Sequence, residues 1–435
     1  MVWSKKEENR VWVRIINACN SACIFCLDSD SHDLRIIDEK EIQTKIKDSY
    51  KPWLYNKIII SGWEASIDPR FLSFLSYARD IWYERIQTIT NWQRFSNPEF
   101  MAEAVRNWLQ ELTFSIHWHT SKLHDFLTWI PGSFDKAISA LVEIKKNHPQ
   151  IIVNIDIVLN RLNIDFLPDI IRFFMKFDVY EYDLLQVIPF GRAYKNGSKL
   201  FYDMTSKKKI FDEIWKLSLI PWMHIWTNRL SPEILEWYEH LIQDPLKIKS
   251  EVLWEAREQF EGYIKKKSIP ECKWERCRMC ILSDFCEMID HLDDETLIWK
   301  KTFIWWKGSE IVKQECEYIC LRWEKDLETI KSKYWNDWKA FMDYISSIAN
   351  PSGAKFVNIP KCIRKEDNVL EFENPSDLWV WRDLEKLTAS YITDLNRKKS
   401  LRCNDCIYNW SCKWIALNFI RAYGFSILNP ILRDE

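Results

Sequence analysis

Three cysteines share a short segment near the start of the chain. Cys19, Cys23 and Cys26 follow the spacing C-x3-C-x2-C within the segment CNSACIFC. Thiolates are the protein ligands of iron–sulfur clusters, and three of them on one loop can hold three irons of a four-iron cube. The fourth iron then stays open to a ligand from outside the protein. The same spacing also suits half of a zinc site, so the cysteines alone leave both interpretations open.

Short polar motifs follow the apolar runs that come after this cysteine loop. The segments are SGWE at 61–64, TNW at 90–92, SIHW at 115–118 and PFGR at 189–192, and Asn163 follows the fifth run. If the runs are neighbouring parallel strands, their carboxyl ends meet at one edge of a sheet. The motifs would then lie close to the cysteine loop.

Six apolar runs alternate with helix-like segments over the first half of the chain. The strand-like runs are 10–16, 57–60, 85–90, 111–116, 151–159 and 182–188. The helix-like segments are 39–48, 69–81, 98–107, 134–147 and 166–177. Repeated strand-then-helix units predict a parallel sheet with right-handed crossovers. The predicted fold class is therefore α/β, a partial (β/α)6 barrel followed by a C-terminal Cys-rich α+β extension.

The cysteine loop and the Gly-x-Glu motif together resemble the radical S-adenosylmethionine (radical SAM) superfamily. The resemblance covers roughly residues 8–230. It implies that Cys19, Cys23 and Cys26 hold a catalytic [4Fe–4S] cluster whose open iron binds S-adenosylmethionine. The side chains expected around that cofactor are Phe25, Gly62, Trp63, Glu64, Asn91, Ser115, His117 and Asn163. Trp63 departs from the superfamily, because it stands where the second glycine of a Gly-Gly-Glu motif is expected.

Two further cysteine-rich segments occur near the C-terminus, and we call them the first and second knots. The first knot contains Cys272, Cys277, Cys280 and Cys286, and the second contains Cys403, Cys406 and Cys412. Their shared C-x2-C-x5-C spacing resembles the SPASM and twitch extensions of radical SAM enzymes, which implies one or two auxiliary iron–sulfur clusters. A further cysteine of that pattern is absent, since Asp290 and Ala416 stand in its place. Cys316, Cys320 and Cys362 are the remaining donors, and four-thiolate zinc sites are the alternative.

Composition and the motifs predict the organisation of the chain. We predict a core domain at residues 1–230, a helical connector at 231–270 and a Cys-rich auxiliary-cluster domain at 271–435. With 47% hydrophobic and 29% charged residues, the 435-residue chain has a globular composition. A net charge of -2 argues against a general polybasic surface, so no nucleic-acid partner is expected. The absence of a signal peptide or long apolar run predicts a cytoplasmic protein without a membrane partner.

Tryptophan and glycine occur in abnormal numbers. The chain has 25 Trp and 8 Gly, where roughly 30 glycines are usual for this length. Several tryptophans lie where a turn or helix end favours glycine, including Trp82, Trp92 and Trp129. Trp63 and Trp118 lie within the motifs at the strand ends. We hypothesise that many of these tryptophans are glycines, written as Trp because UGA was read with the wrong genetic code. A truly Trp-rich protein is the alternative, and UGG codons at these positions would establish it.

The sequence predicts a radical enzyme that acts on a peptide or protein, with a flavodoxin or ferredoxin as electron donor. A small metabolite or RNA is the alternative substrate. A non-catalytic iron–sulfur or zinc protein is the alternative from another functional class. Glu64 after Gly62 favours the enzyme, because a pure electron carrier needs no Gly-x-Glu motif that faces a cofactor.

Overall fold

A computed structural model describes most of the chain in two compact units, Met1–Arg229 and Leu230–Glu435. The described residues are 10–31, 36–52, 56–253, 256–265, 268–273, 276–290, 304–307, 310–311, 318–320, 355–357, 362, 369–370, 383–412 and 414–432. The predicted three-part division, with limits at residues 230 and 270, stays a prediction.

The first unit is built on an open parallel sheet. Its strands follow the chain order β1 to β7, and each is hydrogen-bonded in parallel to the next. They are β1 Arg10–Ile16, β2 Lys57–Gly62, β3 Arg85–Thr90, β4 Glu111–Ser115, β5 Ile152–Leu159, β6 Glu181–Gln186 and β7 His224–Asn228. The α/β partial-barrel fold class is confirmed, but the sheet has seven strands instead of six. The sequence misses β7 because HIWTN is short and not continuously apolar.

Helices connect successive strands of this sheet. They are α1 Glu39–Asp48, α2 Phe71–Asp80, α3 Pro98–Arg106, α4 Ser121–Thr128, α5 Ser133–Asn147, α6 Leu167–Met175, α7 Gly191–Lys195, α8 Gly197–Leu200 and α9 Lys208–Leu217. Asparagine and aspartate start two of them, since the Asp38 side chain accepts from the Glu41 N–H and Asn97 from the Phe100 N–H. Pro98 then occupies the first turn of α3, where its missing N–H costs nothing.

The helices cover the sheet and bury its central strands. Ile58, Ile59 and Ile60 on β2 are fully buried, as expected for a strand that is covered on both faces. Because all seven strands run in parallel, their carboxyl ends share one edge of the sheet. The cysteine loop follows β1 at this edge, and the motifs that contain Glu64, Asn91 and His117 follow β2, β3 and β4 there.

The second unit contains short helices and small sheets among its described residues. Its helices are α10 Lys247–Leu253, α11 Arg257–Ile264, α12 Ser283–Asp290, α13 Leu384–Ser390 and α14 Leu417–Tyr423. A five-stranded sheet has the order β12-β11-β10-β8-β9, with β8 Ile304–Lys307, β9 Glu310–Ile311, β10 Tyr318–Cys320, β11 Lys355–Val357 and β12 Val369–Leu370. β13 Arg397–Lys398 and β14 Ile415–Ala416 pair antiparallel.

A small apolar core holds part of this second unit together. Val252, Phe260, Phe285 and Leu387 pack in one cluster with other buried residues of α10 to α13. Cys286 of the first knot belongs to this cluster. Over the described residues of both units, no helix combines the length and apolarity needed to cross a membrane.

Candidate active site

The cysteine loop is fixed at the strand-end edge by its backbone. The Ile24 N–H donates to the Leu127 carbonyl at 2.9 Å, and the Ala22 N–H donates to the Thr128 carbonyl at 3.3 Å. Both acceptors lie in the last turn of α4, whose final carbonyls have no partner within the helix. The loop therefore takes its shape from the first unit itself.

The loop after β6 provides a second support. The Arg192 Nε donates to the Cys23 carbonyl at 2.9 Å, and the Arg192 backbone N–H donates to the Cys26 carbonyl at 2.9 Å. Gly191 has φ +51°, and a Cβ placed there would lie 2.6 Å from the Cys26 carbonyl oxygen. Only glycine permits this approach. Sequence reasoning noted the PFGR motif at 189–192 but did not predict that it holds the cysteine loop.

The three thiols of this loop lie near one another, and the three cysteines are half-buried. Burial raises the pKa of Cys19 to about 11. Burial also raises the pKa of Cys23, and the neighbouring Cys19 and Cys26 raise it further, whereas the Arg192 guanidinium lowers it. Three thiolates this close repel one another unless a cationic group neutralises them. The donor set and its surroundings therefore fit an iron–sulfur cluster held by three cysteines.

Glu64 and Asn91 connect the next two strand ends to the cysteine loop. The Glu64 carboxylate accepts from the Asn91 N–H at 2.6 Å and from the Thr90 hydroxyl at 2.8 Å. The Asn91 Nδ2 donates to the Ser21 Oγ at 2.9 Å and to the Cys19 Sγ at 3.6 Å. This network confirms that the SGWE and TNW motifs meet the cysteine loop in space.

The predicted place of Glu64 beside the cofactor is not tested by these contacts. Glu64 is 1% exposed, and burial raises the pKa of its carboxyl group. Its oxygens accept from Ser66 as well as from Thr90 and Asn91. Its own N–H donates to the Ala18 carbonyl at 3.0 Å. In this structure Glu64 is therefore a buried centre of hydrogen bonds that positions the start of the cysteine loop.

Gly62 and Trp63 lie against the end of β1. A Cβ at Gly62 would stand 2.7 Å from the Ile16 carbonyl oxygen, and the Trp63 N–H donates to the same oxygen at 3.3 Å. The Arg14 guanidinium lies 4.4 Å from the centre of the Trp63 ring. The backbone of this motif thus lies close against β1, and its expected place beside the cofactor stays a prediction.

His117, Phe25 and Asn163 meet behind the cysteine loop. The Phe25 and His117 rings make an edge contact with centres 4.4 Å apart. The His117 Nδ1 accepts from the Val158 N–H at 3.1 Å, and the Asn163 Nδ2 donates to the His117 carbonyl at 3.2 Å. Burial lowers the pKa of His117 well below its usual value, so its ring is neutral near pH 7. In this arrangement His117 and Asn163 join the ends of β4 and β5, and Phe25 of the cysteine loop packs against His117.

Sequence reasoning missed a pair of half-buried carboxyl groups on the sheet. Asp156 on β5 stands in register with Asp183 on β6 and with Ser115 on β4. Burial raises the pKa of Asp156 well above its usual value, Asp183 raises it further, and the Ser115 hydrogen bond opposes this. No motif marks these residues. Their adjacency follows from strand register, which the sequence alone does not give.

The four thiols of the first knot influence one another within the second unit. Burial raises the pKa of Cys286 to about 12, with further contributions from Cys280, Cys272 and Cys277. Burial likewise raises the pKa of Cys280 to about 11. The knot therefore offers four neighbouring sulfurs without a ligand from elsewhere in the chain.

The second knot acquires a fourth cysteine from a distant part of the sequence. Cys362 lines one pocket with Cys403, Cys406 and Cys412. Burial raises the pKa of Cys362 to about 11, and these three cysteines raise it further. Of the other proposed donors, Cys316 and the side chain of Cys320 lie outside the described residues.

In each set of described cysteines the sulfur atoms are neighbours, but they do not converge on the position of one metal ion. Over the described residues, no group of three or more His, Cys, Asp or Glu side chains is arranged to hold one metal ion. The sulfurs of each set are thus neighbours across a pocket or loop. Their chemistry suits an iron–sulfur cluster or zinc, and the choice between these is not made by the donor types.

A model of a known protein family matches the first part of the chain. Residues 13–174 match the radical SAM superfamily. Among curated proteins, none matches the sequence closely enough to count as a relative.

Solved structures give partial matches at 14% identity. SuiB from Streptococcus suis, bound to the precursor peptide SuiA, matches with a TM-score of 0.41 over 54% of this chain and 52% of its own. The protein anSMEcpe with bound AdoMet and the Kp18Cys peptide matches with a TM-score of 0.40, over 50% of this chain and 63% of its own. Methylornithine synthase (PylB) matches with a TM-score of 0.39, over 50% and 64%. The chain thus spans about half of SuiB and less than two thirds of the other two.

Proposed function

We propose that this chain, whose residues 13–174 carry the radical SAM superfamily domain, is an enzyme that reductively cleaves S-adenosylmethionine at a [4Fe–4S] cluster. Cys19, Cys23 and Cys26 would hold the cluster. When bound, the cluster and S-adenosylmethionine supply a 5′-deoxyadenosyl radical that removes hydrogen from a substrate. The gathering of three half-buried thiols on one supported loop carries this proposal.

The residues around the loop would position the thiolates and keep water away from them. The Arg192 guanidinium offsets part of the negative charge beside Cys23 and Cys26. The Asn91 Nδ2 donates to the Cys19 sulfur, and such hydrogen bonds tune the potential of sulfur-ligated iron. Neutral His117 and the Phe25 ring form an apolar, rigid backing behind the loop.

The activity test measures 5′-deoxyadenosine from anaerobically reconstituted protein, with dithionite as reductant and glycine at position 63. We expect product from this protein and only background from the same protein with Cys23→Ala. Thermal unfolding of the two proteins serves as the folding control. Equal product from the Cys23→Ala protein would contradict the assignment of the cluster to this loop.

We infer further that the substrate is a peptide or protein. The resemblance of both knots to SPASM and twitch extensions supports this class, since members with such extensions often modify peptides. The probes are deuterated peptides made from the short open reading frames that neighbour the gene of this protein. Deuterium transfer into 5′-deoxyadenosine supports the proposal, whereas transfer only from a small metabolite or an RNA would contradict it.

The two knots would each hold an auxiliary iron–sulfur cluster. Four thiols gather in each, with Cys362 completing the second knot. Iron and acid-labile sulfide counts test this: we expect about twelve irons per chain for three four-iron clusters. About four irons together with about two zinc ions would show that the knots are zinc sites. A flavodoxin or ferredoxin is the proposed electron donor.

A further inference from the structure

The backbone of this protein is left-handed at an unusual set of residues. In the described part of the chain, eight residues other than glycine have positive φ, and six of them are tryptophans. These are Trp82, Trp92, Trp108, Trp129, Trp237 and Trp414, with φ between 58° and 77°. A residue with a Cβ resists this conformation, and asparagine and aspartate are the usual exceptions. Tryptophan has neither the small size nor the short polar side chain that makes the conformation tolerable.

Two of these tryptophans occupy the position after a helix where glycine is usually found. α2 is followed by Trp82, whose N–H donates to the Arg79 carbonyl at 2.8 Å. α3 is followed by Trp108, whose N–H donates to the Val105 carbonyl at 3.0 Å. The next residue in each case donates back to the final turn, which completes the helix-ending motif that normally has glycine at this position.

Four of the six indoles, those of Trp82, Trp108, Trp129 and Trp237, contribute little packing. Trp82 is 79% exposed and Trp129 is 65% exposed. Trp108 and Trp237 are exposed as well. A large apolar side chain normally compensates for its backbone cost by burial, and these four do not.

Trp92 is buried, but its surroundings do not suit an indole. It is fully buried beside the Asn91 contact to the cysteine loop. Its Nε1 has no hydrogen-bond partner among the described residues. Its ring lies against Phe114 with less room than two stacked aromatic rings need. A glycine would remove both conflicts and leave the backbone contacts of the strand end unchanged.

Trp414 shows the same conflict at the second knot. Its Nε1 is buried without a hydrogen-bond partner among the described residues. Its ring lines the pocket that contains Cys362, Cys403, Cys406 and Cys412. Its backbone N–H lies 3.4 Å from the Cys412 Sγ and donates to it. Only the backbone of this residue is needed for that contact.

A tryptophan in an ordinary environment provides the contrast. Trp215 lies within helix α9, is fully buried and stacks on Phe211 with ring centres 5.3 Å apart. Its backbone is not left-handed. The hypothesis drawn from the sequence also includes Trp63 and Trp118. Neither has a positive φ, so the argument from left-handed backbone does not apply to them.

We propose that glycine occupies positions 82, 92, 108, 129, 237 and 414 in the protein made by its own cell, where UGA is read as glycine. At positions 92 and 414, the backbone then lies close to a cysteine site and carries no side chain. Glycine at 92 lets the strand end pass Phe114 beside Asn91, and glycine at 414 opens the four-thiol pocket while its N–H still reaches Cys412. The proposal does not depend on the proposed enzymatic activity.

The test reads the codons of the gene and sequences peptides of the protein purified from its natural source. We expect UGA codons and glycine at the six positions, with UGG and tryptophan at Trp215 as the matched control. UGG codons or tryptophan at positions 92 and 414 would overturn the proposal. Glycine at 215 would overturn the use of backbone geometry to identify the recoded positions.

A recombinant comparison gives an independent readout. Two recombinant proteins are expressed in a host that uses the standard genetic code. One has tryptophan at all six positions, and the other has Trp→Gly at all six. We expect the glycine variant to have the higher midpoint of thermal unfolding and the larger soluble yield. An equal or lower midpoint in the glycine variant would contradict the proposal.

Discussion

The cysteine loop of the first unit and the two knots of the second are held in different ways. Backbone and side-chain bonds from residues 72 and 169 positions away reach Cys19 and Cys23. In the knots, the cysteine N–H groups bond within their own turns, as between the Cys406 N–H and the Cys403 carbonyl at 3.1 Å. The first loop is therefore shaped by the fold, whereas we propose that a bound metal fixes the shape of the knots.

Metal removal should reveal the largest difference in stability between the cysteine loop and the two knots. Apparent binding energies of about 10 kcal/mol or more make small metal-bound domains unfold when the metal is lost. After chelation under anaerobic conditions, we expect proteases to cut within residues 271–290 and 401–414 while the first unit stays intact. Mass spectrometry of the fragments identifies the cuts. Equal protection of both units in the metal-free protein would refute the contrast.

Gly191→Ala should damage the first loop. The new Cβ would stand 2.5 Å from the Leu27 carbonyl oxygen, and the backbone there has positive φ. We expect a loss of about 1–3 kcal/mol in the free energy of unfolding, together with a lower iron content.

Gly132→Ala is the matched control for this substitution. Gly132 also has positive φ, at +75°, but a Cβ there would meet nothing within 4 Å. Its loss should be about 1 kcal/mol, from the backbone alone, with iron content unchanged. Similar iron loss in both variants would mean that the contact with the cysteine loop is unimportant.

Asn91→Ala should sharpen the same contrast by removing a long-range contact to the cysteine loop. The substitution removes the bonds to Ser21, Asn20 and the Cys19 sulfur. We expect a loss of about 1–2 kcal/mol in stability and a shifted reduction potential of the cluster. Asn97→Ala, which removes the cap of α3, should cost about 1 kcal/mol and leave the potential unchanged. Potentials measured by anaerobic titration decide whether the two variants differ.

The smallest expected effects come from the helix ends of the first unit. Trp82→Gly and Trp108→Gly should each raise the free energy of unfolding by about 1 kcal/mol, because glycine relieves the left-handed backbone. Trp215→Gly should instead lower it by about 3–5 kcal/mol, because a buried indole is removed from a helix. Denaturant unfolding measures all three. Destabilisation by Trp82→Gly would mean that the indole packs usefully.

The regular part of the fold could be predicted because its signals are local. Runs of apolar residues located β1 to β6, and the motifs at their ends placed Glu64 and Asn91 beside the cysteine loop. The sequence missed α4, where Trp129 stands at a left-handed helix end that glycine would have signalled. The start of α5 is not marked by a local cap either, since Gly132 occupies the cap position and the distant Asp125 carboxylate accepts from the Phe134 N–H at 2.9 Å.

Long-range contacts could not be read from the sequence. Arg192 is far from Cys23 along the chain, and no periodic pattern links the two. The same holds for Cys362. The sequence does not distinguish it from Cys316 and Cys320 as a fourth ligand, whereas the structure places it in the pocket of the second knot. The adjacency of Asp156 and Asp183 depends on strand register in the same way.

Electron paramagnetic resonance of the reduced protein tests the central claim most directly. An iron that is not held by cysteine changes its signal when S-adenosylmethionine binds to it. We predict that S-adenosylmethionine alters the spectrum of the reconstituted protein with glycine at position 63. With Cys23→Ala, the addition should leave the remaining signals unchanged. An unchanged spectrum in the first protein, or the same alteration in the Cys23→Ala protein, would contradict a cofactor-binding cluster on the loop of Cys19, Cys23 and Cys26.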